Sequence, residues 1–154
     1  AEFASTGKLE SKKDLFKIAM SIPNVYVASI SMGANMMQTL KVLKEAKEHN
    51  GPSLIIAYSP CIAQGILKGM KNAIQEEKDA TQSGYFPLFH YSPVTKEFKL
   101  DSQADFSKYD DFIKGEDRYR SLEKLSKNSK EMLETNKANA MERYNYYKEL
   151  ANKE

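Results

Sequence analysis

The stretch Leu54–Gly65, LIIAYSPCIAQG, decides how this chain is read. With Ser53 it opens as SLIIAY, a near-continuous apolar run of the kind a parallel sheet buries on both faces. Ser59-Pro60 breaks the run. Cys61, the only cysteine in the chain, follows at once, and Gly65 comes four residues later. The pattern predicts a strand, a turn, and then a helix from about Ala63 to about Gln82.

The same alternation extends to both sides. Leu15, Ile18, Ala19 and Ile22 have helical spacing, so a helix is expected over Leu9–Ile22, capped by Ser11 or Asp14 and stopped at Pro23-Asn24. VYVASI (Val25–Ile30) is compact and β-branched, as a buried strand should be. SMGAN (Ser31–Asn35) turns the chain into a second helix, Met36–His49, with Met36, Leu40, Leu43 and Ala46 on one side. Asn50-Gly51-Pro52 ends it. GYFPLFHY (Gly84–Tyr91) is an aromatic segment, and Phe98–Leu100 is expected to pair with it. Helix and strand alternate three times, which predicts an α/β fold, a three-layer parallel sheet flanked by helices. In such sheets ligands gather at the carboxyl ends of strands, where the 31–35 and 59–61 turns fall. After about Asp101 the chain becomes polar, and one long C-terminal helix is expected from Glu116 onward, with a polar gap at Asn128-Ser129. At some 35 residues it would be about 50 Å long, so it must kink, wrap, or pack on something outside this chain.

Composition narrows the function classes. The 154 residues fit one domain of ordinary size. Twenty-three basic and 21 acidic residues leave a net charge of +2, too balanced to argue for nucleic acid or a membrane surface. One cysteine excludes an internal disulfide framework and points to a reducing compartment. No apolar run approaches the roughly 18 residues of a membrane span, and AEFASTGKLESKKD holds no apolar signal core.

The residues alone leave the chemistry open. Cys61 reads as a buried small hydrophobe, as a nucleophile activated by a following helix N-terminus, or as one ligand of a metal site completed elsewhere. SMGAN has the look of a glycine-containing phosphate turn, but a tight turn with unusual φ/ψ at Gly33 and Asn35 as N-cap explains it more simply. Met36, Met37, Met70, Met132 and Met141 read as core filler, and Tyr144–Tyr147 as helix packing. His49 closes a helix and complements its dipole; neither it nor His90 has a recognisable pairing. Glu76-Glu77 and Asp110-Asp111 read as solvated faces. No complete catalytic set is visible.

A longer pattern adds to this. VYVASISMGANMMQTLKVLKEAKEHNGPSLIIAYSPCIAQG, with AEFASTGK and KKDLFKIAM before it and SGYFPLFHYSP and FKLDS after it, resembles the carboxy-terminal region of the pyruvate:ferredoxin (flavodoxin) oxidoreductases. The motifs match in order from Ala1 to about Arg120. The resemblance implies an enzyme that oxidatively decarboxylates pyruvate, joins the acetyl unit to coenzyme A, and sends electrons through iron–sulfur clusters to ferredoxin or flavodoxin. It implies that residues 1–100 are part of a thiamine-diphosphate-binding α/β domain and that residues 101–154 are a mostly helical extension. It further implies that Cys61 completes the ligand set of the 4Fe–4S cluster nearest the thiamine, and that Ser31, Met32, Gly33 and Asn35 line the cofactor side of the crevice.

The departures are equally specific. No Gly-Asp-Gly occurs to hold Mg²⁺ and the diphosphate, and the other cluster cysteines and the pyrimidine-binding half are absent. Some relatives carry His where this chain has Gln64, so no proton-transfer role is drawn from it. The chain is therefore expected to be part of a larger polypeptide and inactive alone. The remaining polypeptide, ferredoxin or flavodoxin, pyruvate and coenzyme A are the expected partners, with a homo-oligomer as the full enzyme. Cytoplasm is the default location, a hydrogen-producing organelle the alternative. Two other readings stay open: a stand-alone scaffold that docks through its tail helix, and part of a pyruvate:NADP oxidoreductase.

Overall fold

A computed structural model describes residues 13–63 and 65–153. The expected helix start at Leu9, the cap at Ser11, and Gln64 lie outside the described residues. Helix α1 is Leu15–Met20, capped by Asp14, whose Oδ1 accepts from the Phe16 and Lys17 amides. The chain reverses through Asn24, a non-glycine residue with a left-handed φ of 61°. Strand β1, Tyr26–Ile30, is buried at every residue. Helix α2, Met36–Glu48, is capped by Asn35, whose side chain accepts from the Gln38 amide. Strand β2 is Ser53–Ala57.

Four strands form one mixed sheet in the order β2-β1-β3-β4, with β3 at Phe89–Ser92 and β4 at Glu97–Leu100. β1 and β2 pair in parallel, Tyr26 opposite Ser53 through Ile30 opposite Ala57. The α/β class and the pairing of Phe98–Leu100 with the aromatic segment hold, but the third strand enters antiparallel. Its direction carries no mark in the sequence; a short return from the preceding helix lays it against β1 from the other end. SLIIAY also falls differently from expectation. β2 is an edge strand and only half-buried, because β1 takes the central place between β2 and β3.

The alternation of β1 makes three layers. Tyr26, Ala28 and Ile30 pack with Val42, Ala46 and Ile55 beneath α2. Val25 and Val27 face the opposite side, with Phe89, Phe98, Ala19 and Tyr147. Helix α3 is Ala73–Gln82, preceded by a 3-10 turn at Met70–Asn72. It starts ten residues later than Ala63, because Gly65 and Gly69 have φ of 71° and 79° and interrupt what the apolar spacing suggested.

The expected single tail helix is divided. α4 is Tyr109–Gly115, α5 Asp117–Leu125 and α6 Ser129–Ala151. Ser126 is extended, and the break falls beside the polar gap at Asn128. At 23 residues and about 1.5 Å per residue, α6 is about 35 Å long, and it packs along β4 of its own chain. Ala80, Tyr109, Phe112, Ile113 and Ala140 form a separate core among α3, α4 and α6.

Candidate functional site

β1 and β2 end in register, so the turns that follow them leave the same end of the sheet. The Tyr58 amide still donates to Ile30 O at 2.9 Å, one step beyond the strand; Pro60 then prevents further pairing. Cys61 lies in the irregular segment beyond, and its thiol is exposed. That removes the buried-hydrophobe reading. Among the described residues no helix begins between Cys61 and Met70, so no helix N-terminus adjoins the thiol there.

The segment is held from behind by the junction of α4 and α5. Leu67 N donates to Gly115 O (2.8 Å), Ile66 bridges Glu116, and Gly65 N closes a turn onto Cys61 O (2.9 Å). Glycine suits position 65 because its φ is left-handed; a Cβ there would also displace the Asp117 carboxylate, 2.6 Å away.

Under this junction lies a buried charged cluster. Glu116 is 3% exposed. Its Oε1 accepts from Tyr58 OH (2.9 Å), and its Oε2 pairs with Arg118 Nε (2.9 Å). Burial and the Glu116 charge hold the Tyr58 phenol far above its usual range. Glu76, on α3, is 4% exposed, and its Oε1 has no partner among the described residues. Burial first, then the charges of Glu116 and Asp79, push its carboxyl up to about 7. Glu76 is therefore no solvated face, and it can exchange a proton near neutrality. The signal was present: Glu76 and Ala80 share a helical face. Asp110, exposed and paired with Lys137, keeps the surface role expected of it.

Glu77 also acts inward. Its Oε2 accepts from Ser31 Oγ and from the Gly33 amide, each at 2.7 Å. The donors a phosphate would need are thus taken by a carboxylate of the chain itself, and the 31–35 turn does not fit a diphosphate. Gly33 is not among the left-handed glycines; what its missing Cβ admits is Glu77, whose carboxyl would stand 3.0 Å from it. Asn35 caps α2, and Met32 points outward, 58% exposed.

Sequence reasoning also missed a network at His90. The ring is 5% exposed and faces the α2 side of the sheet, opposite Ala28. Nδ1 lies 2.8 Å from Asp101 Oδ2, which also accepts from Gln38 Nε2 (3.0 Å). Lys41 Nζ stands 3.4 Å from Nε2. Glu45 Oε2 lies 3.8 Å from the same nitrogen, so the ring sits between a carboxylate on each side and one ammonium. The signal was the alternation Leu88, His90 in a strand flanked by buried residues. His49 does follow the last turn of α2, with Nε2 3.0 Å from Asn24 O.

Among the described residues no three His, Cys, Asp or Glu side chains converge as a metal site. Cys61 fits a cluster only as a single ligand, its other ligands supplied from outside this chain. No described helix is long and apolar enough to cross a membrane.

No family model matches the chain. It is 43% identical over 98% of its length to the pyruvate:ferredoxin oxidoreductase of Moorella thermoacetica, covering 13% of that protein. It is 41% identical over its whole length to the pyruvate-flavodoxin oxidoreductase of Klebsiella pneumoniae, covering 14%. Against the mitochondrial pyruvate dehydrogenase (NADP(+)) of Euglena gracilis it is 37% identical over 97% of its length, covering 9%. The chain spans about one-seventh or less of the length of these curated relatives.

Proposed function

We propose, on the premise that this chain belongs to the pyruvate:ferredoxin and pyruvate-flavodoxin oxidoreductase family, that it is a working part of an enzyme that oxidatively decarboxylates pyruvate. The acetyl unit passes to coenzyme A, and the electrons pass through iron–sulfur clusters to ferredoxin or flavodoxin. The observation that carries this reading is identity of 41–43% sustained over virtually the whole chain. Residues 1–100 are assigned to part of the thiamine-diphosphate-binding domain, and residues 101–154 to a helical extension laid across it.

Cys61 is assigned as one ligand of a 4Fe–4S cluster. An exposed thiol on a segment pinned by backbone hydrogen bonds suits that role: the sulfur is reachable and the backbone that carries it is fixed. When bound, such a cluster supplies one-electron transfer. Ser31, Met32, Gly33 and Asn35 are assigned to the wall of the neighbouring crevice, through position and not through donation to an anion. Mg²⁺ and the diphosphate are held, on this reading, by the rest of the polypeptide.

Two experiments test this. In the full-length enzyme, Cys61→Ser should remove one cluster from the iron content and from the reduced-state paramagnetic spectrum; an unchanged spectrum overturns the assignment. The isolated chain, given thiamine diphosphate, Mg²⁺, coenzyme A, pyruvate and a viologen, should reduce no dye, and reduction overturns the claim that it is incomplete. A second reading, NADP as acceptor, is favoured by relatives named as NADP(+) pyruvate dehydrogenases at 37% and 39% identity. NADP reduction by the native enzyme, without added ferredoxin, would select it.

A further inference from the structure

Helix α2 buries one side and carries an apolar stripe on another. Its inner side buries Gln38, Thr39 and Val42 against the sheet. Its outer side carries Met36, Leu40 and Leu43 at i, i+4 and i+7, with Met37 beside them, all between 48% and 75% exposed. Sequence spacing marks this outer stripe as the face to bury, yet none of the described elements covers it. The turn before the helix adds exposed Met32. Among the described residues β2 has no strand on its outer side, and SLIIA carries no charge or proline to blunt that edge.

We infer that the outer face of α2 is an internal packing surface, covered by another segment of the same longer polypeptide. The inference rests on the family reading above. Two observations choose this occupant over a second copy of the chain. First, the chain covers only 13–14% of two relatives that it matches at 41–43% identity, so on the family reading a large body of polypeptide lies outside it. Second, the α2 stripe by itself is too small to hold a separate partner. A helix of 13 residues is about 20 Å long, and a face about 10 Å wide offers roughly 200 Å², well short of the ~600 Å² a side at the lower end of stable complexes. A tethered segment needs no such area, because its association is intramolecular. The occupant should be apolar along its length, with an acidic residue facing exposed Lys47 in the last turn, since Lys44 already lies 4.0 Å from Glu48. Methionines suit such a joint, since an unbranched thioether adapts to an irregular partner.

Methionine is its own probe, because its oxidation follows exposure. The full-length native enzyme is given a brief anaerobic hydroxyl-radical pulse, and oxidation of the Met36–Met37 peptide is compared with that in the denatured enzyme. Covered methionines should oxidise about tenfold more slowly in the native protein, and protection should survive dilution to the monomer. Native and denatured rates within about twofold overturn the inference, because Met37 would then be as open as it is in this chain alone. Protection lost as oligomers dissociate overturns it too, and assigns the face to a second copy. The mass of the native polypeptide, read in the same experiment, separates the two layers of argument. A native mass of 17.5 kDa removes the family-scale reading and this inference with it. A large polypeptide with an open Met37 removes this inference alone.

Discussion

A carboxylate taken out of water loses hydration that only a cation or several donors can replace. Glu76 lacks that replacement at Oε1, and the charge of Glu116 acts on it, so its proton stays until about pH 7. The folded chain therefore binds this proton more tightly than the unfolded chain, where the acid ionises near 4.5. The stability it contributes is fully present below pH 4.5 and is lost as pH rises toward 7 and beyond. Glu76→Gln keeps the volume and the neutral form. It should flatten this dependence and raise stability at pH 8 by about 1–2 kcal/mol, less than the whole shift implies because water relaxes around buried ions. Thermal melts of both proteins at pH 5 and pH 8 check it; equal slopes with pH would mean that Glu76 is solvated. Cys61 makes the opposite case. Its thiol is exposed and free, so Cys61→Ser should change stability by less than about 0.5 kcal/mol. With unchanged melting, a cluster lost from the Cys61→Ser enzyme reports ligation and not misfolding.

Among elements, the tie that sets the geometry of the strand ends is Glu77. One carboxylate oxygen joins α3 to the turn between β1 and α2 by two 2.7 Å bonds, to a fully buried hydroxyl and to the Gly33 amide. Glu77→Ala leaves both donors unpaired and should cost about 1–3 kcal/mol. Gly33→Val should disturb the same tie from the other side, because its Cβ meets the Glu77 carboxyl. Chemical denaturation of each variant measures the loss, and near-wild-type stability in both would show that the tie contributes nothing. Elements of this kind were legible where one local rule governs them. The β-branched run of β1, the Asn35 cap of α2 and the Asn50-Gly51-Pro52 stop each have a single physical cause, and each falls where expected. The buried face of α2 was not legible. Gln38 replaces an apolar residue there because its amide donates to Ser29 O and Asp101 Oδ2, partners that only the folded sheet supplies. The start of α3 was hidden by apolar residues at helical spacing, which two left-handed glycines overrule. The Glu76–Glu116 cluster draws its members from α3 and the α4–α5 junction, 40 positions apart, and no local pattern announces such a meeting.

At the scale of the whole molecule, the tail is the surprise. Its apolar residues asked for something to pack on, and the chain's own sheet provides it. Tyr147 of α6 is fully buried, stacks on Phe98 at 5.8 Å between ring centroids, and lies 4.6 Å from Phe89. Its hydroxyl donates to Asp14 Oδ2 at 2.8 Å, while Oδ1 of the same carboxylate caps α1. The two residues lie 133 positions apart in sequence, so one side chain joins the first helix to the last, and the layer beneath the sheet is made from both. Two substitutions separate the parts of this joint. Tyr147→Phe keeps the ring and removes the hydroxyl, leaving Asp14 with its cap intact; it should cost about 1 kcal/mol. Tyr147→Ala empties a closed aromatic site and should cost about 3–5 kcal/mol. If α6 is integral to the α/β core, Tyr147→Ala should speed amide exchange in β4 and α1 together with α6, because all three lose the same support. If α6 is only an appended arm, exchange should rise in α6 alone and β4 should keep its protection. Joint loss is the expected outcome, since Tyr147 is the fully buried ring that α6 sets against both Phe89 and Phe98.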